Sequence, residues 1–210
     1  MKANNAKKII ALLKKEYPEA KSALNFSNPF QLLIATILSA QCTDERVNII
    51  TKDIFAKYKT PADFDKVKVE ELEKNIFSAG FYKQKAKNIK LCCNKIVNDY
   101  DGKMTKDFDL LTELPGVGRK TASVVMGNGY GVPAIAVDTH VKRLSNLLGL
   151  TESDNPDKIE LDLKDALPPE DWVISSHLLA THGRKVCNAK KPKCDICVLS
   201  KLCPSVNYKL

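Results

Sequence analysis

The chain has 210 residues, 44% of them apolar and 28% charged, a balance that excludes a disordered tail, a collagen-like repeat and a membrane channel. Lysine and arginine number 33 against 25 acids, and the formal charge of +8 leans weakly toward a polyanionic partner. No apolar stretch reaches the ~20 residues that span a bilayer, and the N-terminal MKANNAKKIIALLKKEYPEA lacks the apolar core and cleavage site of a signal peptide, so a cytosolic protein is expected.

Short helices separated by proline, glycine and capping residues follow in order. Asn28-Pro29 is an N-cap followed by proline at the first helical position, which predicts a helix over 29–39. A second helix is expected over 44–58, and Thr60-Pro61 repeats the same start. Residues 70–79 read as a helix stopped by Gly80. Residues 82–100 form a long amphipathic run with a basic face of Lys83, Lys87 and Lys90. The stretch 112–118 breaks the pattern, and a helix over about 119–127 follows it. Residues 132–137 are apolar and read as extended; Asp138 then caps a helix over 139–148 that Gly149 closes. Two more helices fit 157–167 and 170–181, and no period-two strand pattern persists. Charge is uneven: residues 151–171 hold eight acids against two lysines, whereas residues 181–210 hold seven bases against one acid. The acidic stretch reads as a solvated helix face.

Seven cysteines, an odd number in a chain without a secretion signal, argue against a disulfide framework. Cys42, Cys92 and Cys93 are expected in the core. Cys187, Cys194, Cys197 and Cys203 fall within 17 residues, with gaps of six, two and five. Four soft donors in so short a loop suit one metal centre, and on spacing alone either tetrahedral zinc or a [4Fe–4S] cluster would fit. Lys190, Lys191 and Lys193 would sit on a loop held rigid by that centre, suited to phosphate contact.

Leu114-Pro115-Gly116-Val117-Gly118-Arg119-Lys120-Thr121-Ala122 reads as a tight turn between two helices. Gly116 and Gly118 are expected to take backbone angles closed to other residues and to let another chain approach. The amides that follow, at a helix start, would cradle a phosphate. The spacing is not that of a Walker loop. It resembles the helix-hairpin-helix element of many DNA-binding proteins. Lys120 lies in the first turn of the second helix. An ordinary lysine is neutral only about once in 2,500 at pH 7, and an amine nucleophile must be neutral. The positive helix end, Arg119 and desolvation would each favour that form.

Asp138 follows the apolar Ile135-Ala136-Val137 at a helix start, where an N-cap is the plain expectation. A carboxylate held by backbone amides stays ionised and fixed in direction, which also suits it to steady a cationic sugar or assist proton transfer. His140, Lys142 and Arg143 follow, and the basic pair Lys142 and Arg143 is suited to a strand backbone. His177 and His182 read as packing or surface groups.

Taken together, the hairpin, Lys120, the Val137-Asp138-Thr139-His140-Val141 segment and the cysteines resemble the endonuclease III family of DNA glycosylases with AP-lyase activity. The resemblance runs from about Asn25 to Cys203 and includes Leu24 to Phe30, Leu38-Ser39-Ala40-Gln41 and His182-Gly183-Arg184. It implies an all-α, two-lobed helix-hairpin-helix glycosylase fold. One lobe would be a six-helix bundle over 22–132; the other would join 1–21 to 133–210 and hold a [4Fe–4S] cluster on Cys187, Cys194, Cys197 and Cys203, the family's spacing for that cofactor. DNA would lie across the groove between the lobes with Lys120 and Asp138 at its mouth. By resemblance Lys120 attacks C1′ of the damaged nucleoside to give a Schiff base, β-elimination cuts the strand, and Asp138 assists. Gln41 fills the space left by the everted nucleotide, and Phe81 stands where the family usually presents an aliphatic wedge. Gly116, Gly118, Arg119, His140, Arg143 and Lys191 are expected DNA contacts. Cys42 departs mildly from the small residue usual after the loop glutamine. The implied partner is double-stranded DNA with an oxidised pyrimidine or abasic site, bound by a monomer with no membrane association, in the cytoplasm or on a nucleoid. A DNA clamp without chemistry and a mismatch glycosylase on the same fold are the competing readings.

Overall fold

The computed structural model describes residues 2–206, and every regular element among them is helical. In chain order the α-helices are α1 (Lys2–Glu16), α2 (Pro29–Ser39), α3 (Asp44–Lys57), α4 (Pro61–Lys66), α5 (Val69–Asn75), α6 (Tyr82–Asp99), α7 (Phe108–Thr112), α8 (Arg119–Val124), α9 (Thr139–Leu147), α10 (Pro156–Ala166) and α11 (Trp172–Lys185). Packing divides the chain into two compact units: Ser22–Val132, and Met1–Lys21 together with Pro133–Leu210.

In the continuous unit α2 is the central element. Its sequence PFQLLIATILS carries no charge, and every residue from Leu32 to Leu38 is buried. Asn28 caps it by accepting from the Gln31 amide, and Pro29 gives up no bond at the first position. Buried with it in this unit are Val47, Ile50 and Ile54 of α3, Phe64 of α4, Leu72 of α5 and Ile89, Cys92, Cys93 and Ile96 of α6. Phe64 meets Phe30 edge-on at 5.6 Å and Tyr58 at 5.3 Å. Thr60 and Asp63 form a reciprocal capping box on α4. Burial pushes the Cys92 thiol up to about 12, and Cys93 also upward, as befits core side chains. Cys42 is not among them: it lies half-buried on the loop between α2 and α3, which corrects its expected place in the core.

The discontinuous unit is built on α1. Ile9, Ile10 and Leu13 share a core with Leu144, Ile159, Leu163, Leu178, Leu179 and Leu199, and Cys187, Cys197 and Cys203 pack against it. Several boundaries differ from the sequence expectation. The helix expected over 70–79 is α5 followed by a separate 3₁₀ turn, Phe77–Ala79. α8 passes into a π-turn, Val125–Gly129, where a Cβ on Gly129 would lie 3.2 Å from Pro29. α10 starts at Pro156 with Asn155 as its cap, the same Asn-Pro signal as at Asn28-Pro29. α11 runs past Thr181 to Lys185 because His182 and Gly183 are buried.

Candidate functional site

The glycine hairpin joins α7 to α8. Val117 is buried, and its amide donates to the Leu114 carbonyl at 3.0 Å, closing the turn. Gly116 has φ +81, and a Cβ there would approach the Asn88 Cβ to 2.9 Å, so both conformation and close approach require glycine. Gly118 is different. Its φ of −93 is open to any residue, which corrects the expectation that both glycines need special angles. A Cβ at Gly118 would meet nothing within 4 Å, so glycine there leaves open space over the start of α8. No side chain caps α8.

Arg119 and Lys120 are the first two residues of α8 and both are exposed. The Arg119 guanidinium lies 4.9 Å from the Phe108 ring centre. Because Lys120 stands in solvent, the desolvation expected for its amine is not provided by the chain itself. Gln41 and Phe81 are also exposed, Phe81 by 68%, an unusual position for a large apolar ring. Neither is glycine, yet both occupy the left-handed region, at φ 52 and 48.

In the other unit Asp138 caps α9: its Oδ1 accepts from the Val141 amide at 2.7 Å, and the residue is half-buried. His140 follows, with its imidazole pushed below the ordinary value by burial, opposed by Asp138 and assisted by Arg143 and Arg184. Arg143, expected at a strand backbone, has partners within the chain. Its Nη2 donates to the Gly183 carbonyl at 3.2 Å and the Cys187 carbonyl at 2.8 Å. It thus satisfies carbonyls at the end of α11, where a helix lacks its own donors. A Cβ on Gly183 would stand 3.1 Å from that same Nη2 and 3.2 Å from the His140 Cβ, so α9 and α11 meet closely there.

The four cysteines of the C-terminal cluster line one cavity with Leu144, Leu148, His182 and Leu199. All four are free thiols. Burial is the leading cause that pushes Cys187, Cys197 and Cys203 up. Thiolates in so apolar a cavity need a cation to compensate them, which fits a thiolate-ligated metal group. Among the described residues no group of three or more His, Cys, Asp or Glu side chains is placed to hold a metal ion. His182, expected as ordinary packing, joins this site. Its Nδ1 lies 2.9 Å from the Tyr17 hydroxyl and its Nε2 lies 3.3 Å from Cys197 Sγ. Burial pushes it down to about 4, so the ring is neutral. A tyrosine donating to Nδ1 leaves Nε2 as the N–H, aimed at sulfur. No local pattern reveals this pairing, because Tyr17 and His182 meet only in the folded core. Lys190, Lys191 and Lys193 are exposed on the loop between the first two cysteines.

Residues 34–169 match the family model for the HhH-GPD superfamily base excision DNA repair protein. The fold and the hairpin thus define a helix-hairpin-helix base excision repair protein. Endonuclease III of Synechocystis sp. is 48% identical over 205 residues, spanning 97% of this chain and 94% of that protein. The structure of a trapped endonuclease III–DNA covalent intermediate superposes with a TM-score of 0.92 at 45% identity, covering 96% of this chain and 95% of that one. A thermostable thymine-DNA glycosylase superposes with a TM-score of 0.85 at 26% identity, covering 96% of both chains. The chain belongs to the endonuclease III family.

Proposed function

We propose that this chain is a bifunctional DNA glycosylase and AP lyase of base excision repair, acting on oxidised pyrimidines and abasic sites in duplex DNA. The observation that carries the reading is an exposed lysine, Lys120, at the second position of the helix after the glycine hairpin, in a chain so closely related to endonuclease III. The Lys120 amine attacks C1′, and the C1′–N bond to the base breaks with the electron pair leaving on the base. Ring opening gives a protonated Schiff base. Loss of a C2′ proton then expels the 3′ phosphate and cuts the strand by β-elimination, and water releases the enzyme. Asp138 holds a fixed negative charge that steadies the cationic sugar and assists proton transfer. The incoming nucleic acid supplies the desolvation that the exposed Lys120 lacks on its own.

Gln41 and Phe81 enter the duplex around the everted nucleotide, and the hairpin amides with Arg119 hold backbone phosphates. His140, two residues after Asp138, contacts the strand, and Lys191 contacts the backbone from the cysteine loop. Arg143 contacts the strand backbone and also braces that loop through the Gly183 and Cys187 carbonyls. Cys187, Cys194, Cys197 and Cys203 would hold a [4Fe–4S] cluster, which supplies a rigid centre around which the basic loop is ordered. Metal analysis returning zinc without iron would overturn that assignment. The enzyme works as a monomer in the cytoplasm or on the nucleoid, and among the described residues no helix is long and apolar enough to cross a membrane.

The competing reading as a mismatch glycosylase has the thymine-DNA glycosylase likeness in its favour. A panel of duplexes separates the two. Base release and strand cutting at an oxidised pyrimidine, with none at an undamaged thymine or adenine mispair, is the expected result. Release of the undamaged mispaired base alone would sink the proposal.

A further inference from the structure

Lys85 lies on the inner face of α6 and is only 5% exposed. Long charged side chains are rarely buried unless paired, yet among the described residues no carboxylate pairs with it. Its ammonium instead donates to two backbone carbonyls, Leu38 at 2.8 Å and Ala79 at 2.6 Å. Leu38 is in the last turn of α2, and Ala79 ends the 3₁₀ turn before α6. Both carbonyls stand where a helix has no amide left to offer them. A hydrocarbon side chain in this position would leave two buried acceptors without a donor.

The two tied segments lead directly to the exposed side chains described above. Gln41 is three residues beyond Leu38, and Phe81 is two beyond Ala79. Gln41 and Phe81 are two of the three non-glycine residues with positive φ among the described residues. Such conformations persist only where surrounding contacts over-determine them. The loops are also neighbours, since a Cβ on Gly80 would lie 3.9 Å from the Gln41 carbonyl. One ammonium therefore fixes the roots of both loops from beneath, without standing at the surface itself.

We infer that Lys85 is a positioning residue for nucleotide eversion, its buried ammonium clamping the Gln41 and Phe81 loops into one rigid wedge. The inference rests on the proposed glycosylase reading. It assigns Lys85 to the opening of the duplex and not to bond cleavage. A flexible pair of loops would still bind DNA but would present Gln41 and Phe81 less often in the geometry that fills the stack.

The test compares the intact chain with Lys85→Met and with the double variant Gln41→Ala/Phe81→Ala. A duplex carrying 2-aminopurine beside an abasic site reports unstacking by fluorescence, independently of any bond cut. Lys85→Met is expected to lose about tenfold in the opening signal and in single-turnover cleavage of duplex DNA. Borohydride trapping on a single-stranded abasic oligonucleotide, which needs no opening, should fall far less. Adding Lys85→Met to the double variant should cost little more, because the clamp then has nothing to position. Equal loss on single and double strands would make Lys85 merely structural and overturn the inference, as would unchanged duplex opening. If Lys85→Met does not fold, the double variant decides: full opening by Gln41→Ala/Phe81→Ala contradicts the wedge. Failure of the intact chain to trap any abasic DNA would instead count against the glycosylase reading, while the fluorescence still judges the clamp.

Discussion

Asp138 combines two tasks that a single substitution separates. Its Oδ1 accepts the Val141 amide and so caps α9, and asparagine caps a helix about as well as aspartate does. Asp138→Asn should therefore leave stability within about 0.5 kcal/mol, read by urea unfolding, while single-turnover base release falls by about a hundredfold or more. Parallel loss of stability and activity would reduce Asp138 to a cap. Residue by residue, legibility in the sequence followed distance along the chain. Lys120 and Asp138 are marked by neighbours within four positions: a hairpin on one side, an apolar run and a helix start on the other. The partners of Arg143 and His182 within the fold are not legible in the same way, because they are remote in sequence. Arg143 spends its guanidinium on carbonyls of Gly183 and Cys187, and His182 sits between Tyr17 and Cys197. A sequence shows a basic or imidazole side chain but not which distant carbonyl or thiol will meet it.

Within elements, the two hairpin glycines separate by experiment. Gly116→Ala must hold a Cβ at φ +81 against the Asn88 side chain, and should cost about 2–3 kcal/mol in urea unfolding. Gly118→Ala meets no atom and no forbidden angle, and should cost under about 1 kcal/mol. Its penalty should appear in weaker DNA binding, because the methyl group occupies the open space above α8. Equal destabilisation by both would mean that the hairpin geometry has been misjudged. Helix starts were legible wherever a cap and a proline coincide, as at Asn28-Pro29 and Thr60-Pro61. The same signal at Asn155-Pro156 shows that the expected start at 157 was late. Helix ends were less legible, since α11 continues past Thr181 only because His182 and Gly183 are buried against other elements.

Across the whole molecule, the all-helical character follows from sequence periodicity, but the joining of the N-terminal segment to the C-terminal half does not. That unit is held by one core that Ile9, Ile10 and Leu13 share with Leu144, Leu163 and Leu179, more than a hundred positions away. Charge acts at this scale too. The basic cysteine loop carries Lys190, Lys191 and Lys193 in solvent, and each neutralised phosphate contributes about −0.9 to the slope of log affinity against log salt. Lys191→Ala should flatten that slope by about one contact and weaken binding alike for every lesion. A changed lesion preference at unchanged affinity would contradict a backbone role. The most direct measurement is borohydride reduction of the intact chain on duplex DNA with an abasic site, followed by mass mapping of the attached peptide. The account predicts one covalent adduct, carried on Lys120 and absent from Lys120→Gln. An adduct on another residue, or none with the intact chain while the strand is still cut, would contradict it.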